Sequence, residues 1–160
     1  MRKIAIIGAG SIVFCKTLVL DILATPSLRD SEFALMAPTT RNTSQVEAFF
    51  NKVIEKEKLD AKVWITTDRR EALKGADYVV LCFQVGGNTA YALDCEIPLK
   101  YGVDSCIGDS MGPGGVFRAL RSIPVIRELC ADVRELCPGA LILNYVNPMA
   151  MIGWALGQEG

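Results

Sequence analysis

The chain has 160 residues, 51% of them hydrophobic, with a net charge of −1 and no histidine. It is long enough for one domain with a real core and too apolar to be disordered. The near-neutral charge excludes a nucleic-acid or membrane partner held by charge alone, and no stretch is long and apolar enough to span a bilayer.

In chain order, Arg2 and Lys3 precede a short apolar run that breaks at Gly8, which reads as a first strand and not as a secretion signal. Lys3 to Ile7 ends in Gly8-Ala9-Gly10-Ser11. A helical spacing of Ile12, Val13, Phe14, Leu18, Val19, Ile22 and Leu23 follows to about Ala24, before Pro26. Strand, glycine turn and helix form the opening of a dinucleotide-binding fold: glycines let the backbone approach a pyrophosphate, and the helix start offers free N–H groups. Val13 stands where the third glycine of G-x-G-x-x-G is usual, and a Gly-x-Gly turn by itself also fits an ordinary strand-to-helix connection.

Glu32 to Met36 predicts the second strand. The residue after it is usually an acid that takes the adenosine ribose hydroxyls. Here it is Ala37, followed by Pro38, Thr39, Thr40 and Arg41. Two readings stay open: Arg41 and the threonines suit a 2′-phosphate and hence NADP, or the segment is a plain loop with a helix cap at Thr39 or Thr40.

Thr43 to Lys58 predicts an amphipathic helix with Val46, Phe49, Phe50, Val53 and Ile54 on one face. Lys62 to Ile65 is a short strand. Asp68 with Glu71 three residues later forms a capping-box pattern for a helix that stops at Gly75. Asp77 to Cys82 is a near-continuously apolar strand, as in a parallel sheet covered on both faces. The loop Phe83 to Asn88 then carries Gly86-Gly87, and the stretch to Tyr101 holds Asp94, Glu96 and Pro98 with no element assigned to it. Val103 to Ile107 leads into Gly108 to Gly115, whose crowded glycines point to close approach of backbone to a ligand. Val116 to Cys137 predicts a long helix with Leu120, Ile123, Val125, Ile126, Leu129, Val133 and Leu136 inward and a candidate kink at Pro124. Ala140 to Tyr145 predicts the fifth strand, Val146 to Ala150 a sharp stop with two amides, and Met151 to Leu156 the start of another helix. The fold class is therefore α/β, a Rossmann-like, doubly wound, mostly parallel sheet.

Six cysteines are scattered, at 15, 82, 95, 106, 130 and 137, without a C-x-x-C pair. They read as reduced thiols of a cytoplasmic protein, mostly buried. The missing histidine removes the commonest general base and metal ligand.

Five motifs together resemble the family 4 glycoside hydrolases: Gly8-Ala9-Gly10-Ser11 with Phe14; Gln84-Val85-Gly86-Gly87; Ile97-Pro98-Leu99-Lys100-Tyr101-Gly102; Gly108-Asp109-Ser110 with Gly112-Pro113-Gly114-Gly115; and Asn144-Tyr145-Val146-Asn147-Pro148-Met149-Ala150. That family shares its nucleotide-binding domain with lactate and malate dehydrogenases. The resemblance implies NAD as cofactor, transient oxidation at carbon 3 of the sugar, and elimination helped by a divalent metal such as manganese, in place of the usual pair of carboxylates. It implies that Gly8, Gly10, Ser11 and Ile12 hold the pyrophosphate and that Gln84 and Val85 line the nicotinamide side. It implies further that Asp109 is a catalytic residue, at the position of an acidic residue near the leaving group, that Asn88 binds substrate, and that Asn147 reaches the sugar or the nicotinamide ribose. For Asp109 the alternative is a helix cap, and for Asn147 a turn amide before Pro148.

The family's metal ligands and base lie beyond Asn-Pro-Met-Ala, so residues 1–160 are expected to be the NAD(P)-binding part, inactive alone, with no metal ligand of their own. A homo-oligomer is expected for the whole protein. The resemblance implies an unphosphorylated α-glycoside as substrate (an α-galactoside, α-glucoside or α-galacturonide), because phosphosugar-cleaving members of that family tend to carry, in the loop that here runs from Phe83 to Gly87, an arginine that fixes the phosphate. Two competing readings are a hydroxyacid dehydrogenase, which needs an arginine that the loop from Phe83 to Pro98 lacks, and a non-catalytic nucleotide-binding fragment.

Overall fold

The computed structural model describes residues 1–105 and 108–159. The elements, in order, are β1 (Lys3–Ile7), α1 (Ile12–Ala24), β2 (Glu32–Met36), α2 (Thr40–Glu57), β3 (Lys62–Thr66), α3 (Arg69–Leu73), β4 (Tyr78–Leu81), α4 (Gly87–Lys100), α5 (Gly112–Leu136), β5 (Leu141–Asn144) and α6 (Met149–Glu159). The strands lie in the order β3-β2-β1-β4-β5. β1 runs parallel to both β2 and β4, and β2 runs parallel to β3, with Ile6 opposite Leu35 and Val80. The strand order reverses at β1. In an open α/β sheet this reversal opens a crevice at the carboxyl ends of the strands, which is where ligands bind.

Two compact units divide the chain: Met1–Phe83 with Asp132–Leu143, and Gln84–Ala131 with Asn144–Gly160. In the first, the strands are apolar nearly throughout: Ala5, Ile6, Phe33, Ala34, Leu35, Val79 and Leu81 are all sealed from solvent. α1 covers them with Cys15, Val19 and Leu23, and α2 with Val46 and Phe50, each at helical spacing. The start of α1 departs from the expected inward face: Ile12, Val13 and Phe14 are exposed, Val13 at 76%. The buried stripe of a helix admits one residue per turn here, and Cys15 takes that place.

Several expected boundaries moved. α2 begins at Thr40, not Thr43, and α5 at Gly112, not Val116. α4 is unmarked by periodicity because its apolar residues form no single stripe, and it runs through Pro98, a residue that ordinarily breaks a helix interior. α5 continues through Pro124. Its Leu120, expected inward, is 68% exposed, whereas Ile126, Leu129 and Val133 are buried as expected.

The capping box is replaced by a relay. Asp68 accepts from the Arg70 amide (2.8 Å), as a cap should. Glu71 does not reach back to the Asp68 amide. That amide donates to Thr66 Oγ1 (3.0 Å), and the hydroxyl in turn donates to Glu71 (2.5 Å).

One glycine of the run before α5, Gly114, has a cause in the chain's own packing. A Cβ on Gly114 would lie 2.4 Å from the Gly108 carbonyl oxygen and 2.5 Å from that of Asp94. The first turn of α5 packs directly on the chain's own backbone, so Gly114 is required without any ligand. Cys15, Cys82, Cys130 and Cys137 are buried and Cys95 half-buried, all as free thiols; Cys106 lies outside the described residues.

Candidate nucleotide and substrate sites

The first unit builds the glycine turn. The amides of Gly8 and Ala9 both donate to the Met36 carbonyl (2.9 Å each), and Ser11 N–H donates to the Gly8 carbonyl (3.1 Å). The turn is thereby fastened to the end of β2. Gly8 has φ +102°, and a Cβ there would lie 2.6 Å from the Cys82 carbonyl oxygen and 2.7 Å from Phe83 N. Those are backbone atoms at the end of β4 and cannot yield, so Gly8 is dictated by the fold.

Gly10 is different. A Cβ there would meet only the Ala37 methyl, at 3.5 Å, an ordinary contact. Nothing in the described packing calls for glycine at this position. Its carbonyl accepts from Asn42 Nδ2 (3.1 Å), which ties the first turn of α2 to the glycine turn. Ser11 is the N-cap of α1 but makes no side-chain cap bond, and the first turn of α1 has no acidic residue. Gly8, Gly10, Ser11 and Ile12 therefore come together at one helix start, with the dipole's positive end and the first-turn amides turned to that side. The residues fit a pyrophosphate: a missing Cβ that the packing does not require, free amide donors, and a spare hydroxyl. The Cys15 and Cys82 thiols in the core of this unit are pushed up by burial to about 12 and about 11, so they carry no negative charge to offset the dipole.

The second unit holds the other site residues. Gln84 Nε2 donates to the Gly87 carbonyl (2.9 Å), closing the loop. Arg121 Nε donates to the Val85 carbonyl (2.9 Å), while its two terminal nitrogens grip Asp94 at 3.1 and 2.6 Å. Asp94 is 2% exposed, so α4 and α5 are bolted together by a buried bidentate pair that also pins the loop. Asn88 is exposed and has no hydrogen bond among the described residues.

Asp109 and Asn147, 38 positions apart, meet directly: Asn147 Nδ2 donates to Asp109 Oδ2 (3.1 Å). Arg118 Nη1 donates to the same oxygen (3.3 Å) and Arg118 Nε to the Asn147 carbonyl (3.1 Å), while Ser110 Oγ donates to Asp109 Oδ1 (2.9 Å). The guanidinium of Arg118 lies over the Tyr91 ring, 5.9 Å from its centre. Tyr91 is held above the ordinary phenol value, first by the neighbouring Cys95 thiol, then by burial and by the charge of Asp109, against the pull of Arg118. Among the described residues the Asp109 carboxylate is used on side chains and not as a helix cap.

Sequence reasoning passed over Arg118, Arg121 and Tyr91, and named Asp94 without a role. The signal was present: two arginines three apart, just inside a helix whose other inward residues are apolar, are on one face and need buried partners. Among the described residues no three His, Cys, Asp or Glu side chains converge to hold a metal ion. The donors present do not fit a divalent metal, so no chemistry is derived through one.

The family model described as family 4 glycosyl hydrolase matches residues 3–159. An α-galactosidase of Rhizobium meliloti (strain 1021) is 52% identical over 159 residues, which cover 99% of this chain and 32% of that protein. An α-glucosidase of Erwinia rhapontici is 41% identical over 151 residues, 94% of this chain and 33% of that protein. Among solved structures, a 6-phospho-α-glucosidase from gut microorganisms in complex with NAD and Mn2+ superposes with a TM-score of 0.84 at 25% identity, over 99% of this chain and 36% of that one. The chain spans about a third of the length of the curated relatives it matches.

Proposed function

Because this chain belongs to the family 4 glycosyl hydrolases, we propose that it supplies the nicotinamide-dinucleotide end of a glycosidase acting on unphosphorylated α-glycosides, α-galactosides foremost. The observation that carries the reading is Gly10, a glycine that the packing does not require, set at the start of α1 beside the strand-order reversal. When bound, the dinucleotide supplies a hydride acceptor for the sugar's carbon 3.

The chain's own residues bind and orient. Gly8 sets the turn, Gly10 leaves room, and the first amides of α1 with the Ser11 hydroxyl receive the phosphates. Gln84 and Val85 line the nicotinamide side, on a loop that Arg121 keeps in place. An ionised carboxylate offers about four acceptor positions. Ser110, Arg118 and Asn147 fill three of those on Asp109, leaving one for a sugar hydroxyl or for the proton delivered to the leaving oxygen. Asn147 is aligned by Arg118 and Asp109 to meet the same sugar, and Asn88 is the exposed amide nearest in chain to the loop. The same reading places the whole protein in the cytoplasm as a homo-oligomer that takes its metal from residues elsewhere. Among the described residues, no helix is long and apolar enough to cross a membrane.

The test incubates the full-length protein with a nitrophenyl α-galactoside, dinucleotide and manganese. Dinucleotide-dependent release of nitrophenol is expected. Turnover of a hydroxyacid without any release would overturn the reading in favour of a dehydrogenase.

A further inference from the structure

Resting on the glycosidase reading above, we propose that Arg118 is a positioning residue of the sugar end of the site: it holds Asp109 and Asn147 in one orientation, so that the Oδ1 atoms of both present acceptors to the hydroxyls of a sugar. Arg118 is 8% exposed, and a guanidinium so buried needs partners. It has them from three different parts of the chain. Nη1 donates to Asp109 Oδ2 (3.3 Å), Nε donates to the main-chain carbonyl of Asn147 (3.1 Å), and the guanidinium lies over the Tyr91 ring of α4, 5.9 Å from its centre. Asp109 and Asn147 are only half-buried. The cation is thus sealed in, while the two groups that it holds keep access to solvent.

The donors divide unevenly over Asp109. Arg118 Nη1 and Asn147 Nδ2 (3.1 Å) both end on Oδ2, whereas Ser110 Oγ (2.9 Å) ends on Oδ1. Each oxygen of an ionised carboxylate accepts about two hydrogen bonds, so Oδ2 is full and the free place is on Oδ1. The same contact orients Asn147. A carboxylate only accepts, so the amide turns its nitrogen to Asp109 and its own Oδ1 away. A protonated carboxyl would instead be able to donate to a flipped amide, and the positive charge of Arg118 commits the pair to the first arrangement. The backbone around the pair is fixed separately. A Cβ on Gly115 would lie 3.0 Å from Ser110 C, so the turn carrying Asp109 is pressed against the first turn of α5. Asn144 braces the bend carrying Asn147: it receives the Val146 amide (2.9 Å) and donates to the Val146 carbonyl (3.2 Å). What the backbone leaves open is how the two side chains face, and Arg118, one helical turn beyond Gly115, meets both residues.

The experiment measures kcat and KM for a nitrophenyl α-galactoside, and dinucleotide affinity by calorimetry, in the full-length protein and in Arg118→Lys, Asn147→Ala and the double variant. Lysine keeps a positive charge but lacks the planar fork that serves Asp109 and the Asn147 carbonyl together. Arg118→Lys is expected to lower kcat about tenfold to a hundredfold, the scale of a misplaced reacting group, with KM changing less. Dinucleotide affinity should stay within about twofold of the parent, because Arg118 bonds neither to the glycine turn nor to the loop from Gln84 to Gly87. The two substitutions should not add: Arg118→Lys should cost much less in a protein that already carries Asn147→Ala. A melting temperature near that of the parent checks that Arg118→Lys is folded. If it is not, Tyr91→Leu, which removes the ring beneath the guanidinium and keeps the arginine, takes its place in the same cycle. Unchanged kcat in these variants, or losses that simply add, overturns the role of Arg118 and leaves the glycosidase reading intact. No dinucleotide-dependent release of nitrophenol by the parent protein overturns the glycosidase reading, and this inference with it.

Discussion

A methyl group added at Gly8 and one added at Gly10 should have opposite consequences, and the structure supplies the reason. At Gly8 the new carbon would stand 2.6 Å from the Cys82 carbonyl oxygen and 2.7 Å from both Cys82 C and Phe83 N, on a backbone at φ +102°. The conformational penalty for an L-residue there is about 1–2 kcal/mol, and forcing a methyl into rigid backbone adds about 1–3 kcal/mol. Gly8→Ala should thus lose about 2–5 kcal/mol of stability, a large part of what a domain has. For a chain of this size it corresponds to a fall in melting temperature of roughly 4–20 °C. Gly10→Ala meets only the Ala37 methyl at 3.5 Å, and Gly10 is outside the left-handed region. Its stability should stay within about 0.5 kcal/mol of the parent, or rise by up to about 1 kcal/mol because alanine restricts the unfolded chain. Its dinucleotide affinity should nevertheless fall by at least about tenfold, since the methyl takes the space of the pyrophosphate. Thermal melts and calorimetric titrations of the two variants decide the matter. A Gly10→Ala protein that binds dinucleotide as the parent does would refute the reasoning, and so would equal destabilisation by the two substitutions.

Three further outcomes follow from other parts of the molecule. Asp132 is nearly buried and accepts from Arg69 Nε (2.7 Å) and Arg70 Nη1 (2.5 Å); burial pushes its carboxyl up, but the hydrogen bonds from Arg70 and Arg69 outweigh that and hold it below the ordinary value. A depressed carboxyl stabilises the fold above the ordinary range near pH 4 and loses that contribution as pH falls through its own lowered value. The urea midpoint of the parent should therefore drop more steeply with acid than that of Asp132→Asn, which should cost about 1–3 kcal/mol at neutral pH; parallel pH profiles would count against the pairing. Ser122 Oγ is buried without a hydrogen-bond partner among the described residues, so Ser122→Ala should stabilise by about 0.5–1.5 kcal/mol, and a lowered melting temperature would show that the hydroxyl has a use. Alkylation at mildly alkaline pH should label Cys95 before Cys15 or Cys82, whose thiols burial pushes up to about 12 and about 11; early labelling of Cys15 in the native protein, read by mass spectrometry, would contradict their placement.

Strands were legible because a parallel sheet covered on both faces demands nearly unbroken apolar runs, and Ile4 to Ile7, Phe33 to Leu35 and Val79 to Leu81 are such runs. The glycine turn was legible because it is local: its bonds join Gly8, Ala9 and Ser11 to each other and to the strand beside them. α4 was not legible, since what holds it is Asp94 gripping Arg121 from another helix, and no periodicity within residues 87–100 records that. Asp109 and Asn147 could be singled out separately, but their meeting through Arg118 could not be read.

What the chain determines by itself is what propagates between near neighbours: which runs are apolar, where glycine breaks them, and that Ala37 stands in place of an acid. What only the tertiary structure decided is which of those features the packing uses up. Gly8 and Gly114 are explained by backbone pressed against them from elsewhere in the chain, whereas Gly10 is not, and that difference depends on distances between residues far apart in sequence. A glycine looks the same in sequence whether a strand or a ligand fills the space beside it, because the missing side chain carries no mark of its neighbour.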